Sequence, residues 1–364
     1  MNIESLALNN YRNYELLDIE LSKGTNILYG NNAQGKTNIL ESIYMTATTK
    51  SHRGSRDRDI IRFEEDEAHI KLLVSKNDIS HRIDMHLKKN KNKGVAVDGL
   101  PIRKISEIFG LLNIIFFSPE DLSIIKNGPV ERRRFMDMEL CQLSRLYYSN
   151  ISNYNKVLNQ RNNLLRQIYY NKSLLDTIDV WDDQLILYGT KVIKERENFI
   201  NMLEEIVVDI HSGLTEGREK LEIKYNKSVN EDEYKDTLLE KRSVDCKYES
   251  TQYGPHRDDI SFFINGIDVR MFGSQGQQRT AALSLKLAEI ELVKKIINDS
   301  PILLLDDVMS ELDSNRRNAL LNRIKDVQTI ITCTGYDDFI RERIKIDKIY
   351  YIENGKAFLK SGQV

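Results

Sequence analysis

Gly30-Asn31-Asn32-Ala33-Gln34-Gly35-Lys36-Thr37 is a full match to G-x-x-x-x-G-K-[ST]. The β-prone stretch Thr25–Tyr29 precedes it. Asn38 to Met45, with apolar residues at helical spacing, follows. A loop between a strand and a helix is where a phosphate cradle must sit. Gly30 and Gly35 let the backbone turn tightly and approach a ligand. The freed N–H groups of Asn31, Asn32, Ala33 and Gln34, with the helix N-terminus, point at an anion. Lys36 reaches β- and γ-phosphates, and the Thr37 hydroxyl holds Mg²⁺. The motif therefore predicts a nucleotide triphosphate site.

Composition bounds the rest. At 364 residues the chain is longer than an average domain, so two lobes are expected. Hydrophobic residues make up 40% and charged residues 30%, enough for a large core under a solvated surface. With a formal net charge of −2, contact with nucleic acid must come from local basic patches. Cys141, Cys246 and Cys333 lie far apart, without metal or redox spacing, and fit a reducing cytoplasm. The N-terminus does not read as a signal peptide, and no apolar run approaches membrane-spanning length. The six histidines are scattered, so a histidine-based metal site is not expected.

Residues 2 to 29 alternate as strands that lead into the loop. In the polar turn between them, Arg12 is open to two readings: a contact to nucleotide phosphate or adenine, or a solvated turn residue. After the loop helix, Lys50 to Arg58 holds four basic side chains, including Arg53 and Arg56. It suits phosphate contact or is an exposed basic loop. Strands are expected at 68–74 and 79–87. A hairpin tip carrying Lys88, Lys89, Lys91 and Lys93 follows, which contacts DNA phosphates or protects a sheet edge. Asn113 to Phe117 reads as a buried strand, with Ser118-Pro119 opening a helix.

Residues 131 to 212 are almost free of Gly and Pro. Apolar positions at steps of three, four or seven predict two long packed helices that break around 170–176, on the order of 50–60 Å each at 1.5 Å per residue. The aromatic stripe reads as their seam. Residues 125–248 are taken as an inserted, mainly helical lobe, with 1–124 and 249–364 forming the other. Ser274-Gln275-Gly276-Gln277 opens a long helix, either as a second anion site or as a plain cap. Pro301 to Asp307 is a buried strand with paired carboxylates at its C-terminal end, where ligands sit in open α/β sheets. Asp306 suits the metal side and Asp307 suits the attacking water. The tail reads as a terminal hairpin through Asn354-Gly355.

A phosphate loop, a helical insertion, S-x-G-Q, and an apolar strand ending in two carboxylates followed by S-x-L-D resemble the ATP-binding-cassette ATPases of the chromosome-maintenance type. Within that group, Asn10–Tyr14, Lys50–Arg53, Phe117–Leu122, Arg132–Phe135, Tyr253–Asp259 and Ser274–Arg279 resemble the bacterial recombination mediators. The resemblance implies an α/β fold, a cassette-type P-loop ATPase lobe of mixed sheet and flanking helices with an inserted helical lobe. It implies ATP and Mg²⁺ as cofactors, and a homodimer closed around two nucleotides, with Ser274–Gln277 of one copy on the loop of the other. It further implies slow ATP hydrolysis, binding of duplex, gapped or junction DNA, and action with RecO and RecR in repair, replication and the SOS response. An ATPase powering a membrane transporter is the alternative. Two departures from the wider group stand out. Asp307 replaces a glutamate, and Thr332-Cys333-Thr334 stands where a switch histidine is common. No clear glutamine follows Phe117, leaving Ser118, Glu120 or Asp121 near the metal.

Overall fold

The computed structural model describes residues 1–310, 312–335 and 345–360. Two compact units emerge, Met1–Asp121 with Lys286–Val364, and Leu122–Leu285.

The first unit is built on two six-stranded sheets. One is antiparallel throughout, in the order Tyr14–Glu20, Asn2–Tyr11, Glu67–Lys76, Ile79–Lys88, Lys91–Val97, Leu100–Pro101. Its period-two burial (Ala68, Ile70, Leu72 and Val74 inward) is the alternation read in the sequence. The other is mainly parallel, in the order Lys356–Leu359, Ile346–Glu353, Thr25–Tyr29, Thr329–Cys333, Ile302–Asp306, Ile114–Phe117. Its strands read as continuous apolar runs because both faces are covered: Ile302 to Leu305 and Ile114 to Phe117 are all buried. The edge hairpin closes through Asn354 and Gly355, both at positive φ, as an Asn-Gly turn requires. Asp313 accepts the Arg316 N–H at 2.9 Å and caps the helix Ser314–Arg323. Glu311, in the S-x-L-D stretch, lies outside the described residues.

The second unit is helical with a small sheet. Its helices include Pro129–Leu143, Arg145–Tyr170 and Ile178–Leu214, with a 3₁₀ turn at Lys172–Thr177 where the break was expected. The expected first long helix is interrupted at Ser144. Its backbone is extended (φ −140°), and its hydroxyl caps the next helix by accepting Tyr147 N–H at 3.1 Å. With no Gly or Pro there, spacing alone could not reveal the stop. The uninterrupted helix of 37 residues runs about 55 Å. Tyr147, Tyr154, Leu165, Leu185, Val192 and Phe199 are buried in the seam.

Residues 249–285, expected with the ATPase lobe, fall in this second unit. There Asp259–Ile264 pairs with Leu221–Asn226 and Ile267–Asp268. The turn before that strand is an anchor. Asp259 takes both forks of buried Arg132 at 2.6 and 2.9 Å, and Asp258 accepts from Ser228 N–H and the Tyr225 hydroxyl. Arg133 donates to the Asp258 carbonyl at 2.7 Å.

Candidate nucleotide-binding site

The phosphate loop follows the strand Thr25–Tyr29, and Asp306 ends the strand Ile302–Asp306. One strand, Thr329–Cys333, separates them, with Thr332 in register with both Leu28 and Asp306. Sheet register therefore delivers three oxygen groups to one point. Asp306 Oδ1 accepts from Thr37 Oγ1 at 2.9 Å and from Thr332 Oγ1 at 2.7 Å. Thr332 Oγ1 in turn accepts the Asp307 N–H at 3.0 Å. Asp307 sits at φ 55°, in the left-handed region that Asp and Asn tolerate better than most residues. Its carbonyl accepts from Ser310 Oγ at 2.7 Å. Thr332, which the sequence marked only as the lack of a histidine, thus holds the Asp306 carboxylate and the Asp307 backbone.

Lys36 is buried and donates to the carbonyls of Gly30 and Asn31 at 2.7 and 2.9 Å. Burial lowers its pKa, against the pull of Asp307, Cys333 and Asp306. An ammonium has three donors. With two turned to the loop's own backbone, one remains for a phosphate, and a phosphate anion opposes the desolvation. The glycines are needed sterically. A Cβ at Gly30 would collide with the Ile352 carbonyl, and one at Gly35 (φ 109°) would lie within 2.8 Å of Asn13 and the Tyr14 hydroxyl. The donor set of hydroxyl and carboxylate oxygens matches the hard-oxygen preference of Mg²⁺. These residues fit both ATP and Mg²⁺.

The loop is held from outside by residues the motif does not contain. Asn13 Nδ2 donates to the Gln34 carbonyl at 2.9 Å, and Asn38 Nδ2 donates to Asn13 Oδ1 at 2.9 Å. Gln34 Oε1 accepts the Asn354 N–H at 2.7 Å. Asn32 and Ala33 are exposed, with Ala33 at φ 63°.

Arg12 is tied to the loop helix. It grips Glu41 of the loop helix with two bonds at 2.7 and 2.8 Å, and also reaches Ser55 Oγ and the Asp59 carbonyl. Burial alone would raise the Glu41 pKa, but hydrogen bonds from Arg12 and Ser51 outweigh it and lower the value. Glu41 is therefore an ionised tether for the basic segment 50–58.

In the second unit, Ser274 and Gln277 form a reciprocal capping box. Ser274 Oγ accepts the Gln277 N–H at 3.2 Å, and Gln277 Oε1 accepts the Ser274 N–H at 2.9 Å. Gln277 Nε2 also donates to Glu219 at 3.0 Å. Ser274, Gln275 and Gly276 are exposed at the start of the helix Gln275–Ile297.

The basic candidates divide. Lys88 pairs with Glu67 (3.1 Å), Lys89 with Asp66 (3.4 Å), and Lys93 with Asp57 (2.8 Å). Arg53 leans on Asn38 at 3.4 Å and, like Arg56 and Lys91, is exposed.

A family model described as "RecF/RecN/SMC N terminal domain" matches residues 2–357. A protein of Lachnoclostridium phytofermentans named "DNA replication and repair protein RecF" is 61% identical over 98% of this chain and 99% of its own. The chain belongs to the RecF family. A RecF of Clostridium botulinum is 46% identical over 96% of this chain and 98% of its own. A solved structure titled "Structure of the recombination mediator protein RecF-ATPrS in RecFOR pathway" superposes with a TM-score of 0.92 at 35% identity, covering 99% of this chain and 98% of that one. An Smc head domain from Pyrococcus furiosus, at 17% identity and a TM-score of 0.57, shares the fold. The expected cassette-type α/β architecture is thus that of the RecF family. A transporter ATPase is not favoured, since the RecF relatives are named for DNA replication and repair. Among the described residues, no helix is long and apolar enough to cross a membrane.

Proposed function

We propose that this RecF-family chain is an ATP-switched DNA-binding protein of cytoplasmic DNA replication and repair. The observation that carries the reading is the convergence of Thr37, Asp306 and Thr332 beside a Lys36 whose ammonium already faces the loop. Relatives named for DNA replication and repair, and a solved relative titled as an ATP-analogue complex, support it.

Lys36 and the N–H groups of residues 30–37 hold the phosphates, and Thr37 with Asp306 holds Mg²⁺. When bound, Mg²⁺ neutralises phosphate charge as the γ-phosphoryl group leaves. Thr332 keeps Asp306 turned toward Thr37 and fixes the backbone of Asp307. Asp307 orients the attacking water and accepts its proton. It is one methylene shorter than a glutamate, which suits slow turnover. Ser274–Gln277 of one copy meets the loop of a second copy. The capping box leaves the Ser274 hydroxyl proton to be donated, and the helix dipole favours an anion there. The closed dimer offers Arg53, Arg56, Lys88, Lys89, Lys91 and Lys93 to duplex, gapped or junction DNA, with RecO and RecR as partners in loading recombinase.

Analytical ultracentrifugation tests this with no nucleotide, with Mg²⁺-ATP, and with Mg²⁺-ATP plus duplex DNA. A mass that doubles only with ATP, in a dimer that carries DNA, is expected. A mass unmoved by ATP overturns the sandwich dimer and the role of Ser274–Gln277.

A further inference from the structure

The scattered histidines do not stay scattered. Strands Glu67–Lys76 and Ile79–Lys88 pair antiparallel, with His69 opposite His86 and Glu67 opposite Lys88. Ala68, Ile70, Met85 and Leu87 are buried, so 67, 69, 86 and 88 share the outer face of the sheet. The two imidazoles stack, with centroids 3.8 Å apart and planes 29° from parallel. His86 Nε2 lies 3.1 Å from Glu67 Oε2. One ligand atom from each of Glu67, His69 and His86 falls within 4.8 Å of the others.

We propose that Glu67, His69 and His86 form a surface site for a borderline-soft divalent cation such as Zn²⁺, bound by two imidazole nitrogens, one carboxylate oxygen and water. The donor set and number match open three-ligand zinc sites. The site rests on two strands locked by ten paired positions, so the backbone is already ordered and only the two rings must turn out of their stack to aim nitrogens at one cation. The cation takes the place between His86 Nε2 and Glu67 Oε2. The competitor in place is the Lys88 ammonium, 3.1 Å from the same Glu67 oxygen. Binding therefore detaches Lys88, a candidate DNA-contacting lysine, from its carboxylate. Mg²⁺, which prefers oxygen ligands, is rejected. No residue of the phosphate loop takes part.

Equilibrium dialysis of the full chain against Zn²⁺, in excess Mg²⁺ and after chelator treatment, tests the site. One saturable equivalent is expected. His69→Ala and His86→Ala should each weaken it at least about tenfold, with ATP binding unchanged. Lys88→Met, which removes the competing charge, should tighten it. The absence of a saturable equivalent, or one indifferent to both histidine substitutions, overturns the site. Weaker binding in Lys88→Met overturns Glu67 as a ligand.

Discussion

The phosphate loop and the helical unit treat charge in opposite ways. In the helical unit, Arg132, Arg161 and Arg196 are at most 2% exposed, and each is gripped by carboxylates of its own surroundings. Arg161 donates to Asp182, Asp245 and Thr251 at 2.6–2.8 Å, and Arg196 to Asp137 and the Pro255 carbonyl at 2.8 and 2.6 Å. At the loop, Lys36 is as buried as many core residues, yet its donors go only to backbone carbonyls of a turn. A buried cation closed on carboxylates holds a fold together. A buried cation closed on weak acceptors is poised for a stronger one, and the difference separates scaffold from site where sequence shows only Arg and Lys.

Four measurements break or sharpen that contrast. Arg161→Ala leaves Asp245 buried without its cation, while Asp182 keeps Arg242, and should cost about 3–5 kcal/mol in denaturant unfolding. If the loss is under 1 kcal/mol, the network is not structural. Next comes acid. Burial pushes His256 down to about 4, while it bonds Tyr154 and the Thr251 carbonyl. Its folded pKa is depressed, so the unfolded chain takes up a proton first as pH falls. The contribution is whole above pH 6.5 and fades toward pH 4, by at most roughly 3 kcal/mol. His256→Gln should flatten stability against pH in that window, and an unchanged slope would contradict the assignment. Third, Lys36→Arg should abolish ATP-dependent dimerisation at unchanged unfolding free energy, whereas Asp307→Asn should trap the closed dimer and slow phosphate release at least about tenfold. Normal dimerisation of the lysine variant would remove Lys36 from the site, and loss of ATP binding on changing Asp307 would make that residue structural. Smallest is Lys91→Glu, expected to weaken DNA binding a few-fold and lower the salt slope by about one. Unaltered affinity and slope would take the hairpin out of the DNA surface.

What was legible in the sequence was local. The loop between strand and helix, the carboxylates ending an apolar strand, the break near 170–176 and the Asn-Gly hairpin each follow from residues within a few positions of one another. What escaped was set by register or by distant partners. Thr332 reaches Asp306 because two parallel strands align, and Asn13 reaches Gln34 because a turn folds over the loop. Neither reading of Arg12 included its partnership with Glu41, which lies 29 positions on. The buried arginines of the helical unit look like solvent-facing charge until their aspartates, up to 127 positions away, are placed. The histidine pair is the same lesson on a sheet.

The strand that feeds the phosphate loop, Thr25–Tyr29, lies between Thr329–Cys333 and Ile346–Glu353. Both neighbours come after the whole helical unit in the chain. The nascent chain therefore carries its nucleotide motif through most of synthesis without the walls that shape it, and the loop is completed only when Asn354 arrives to bond Gln34. A chain that stops before these strands carries the motif without the walls that give the loop its shape.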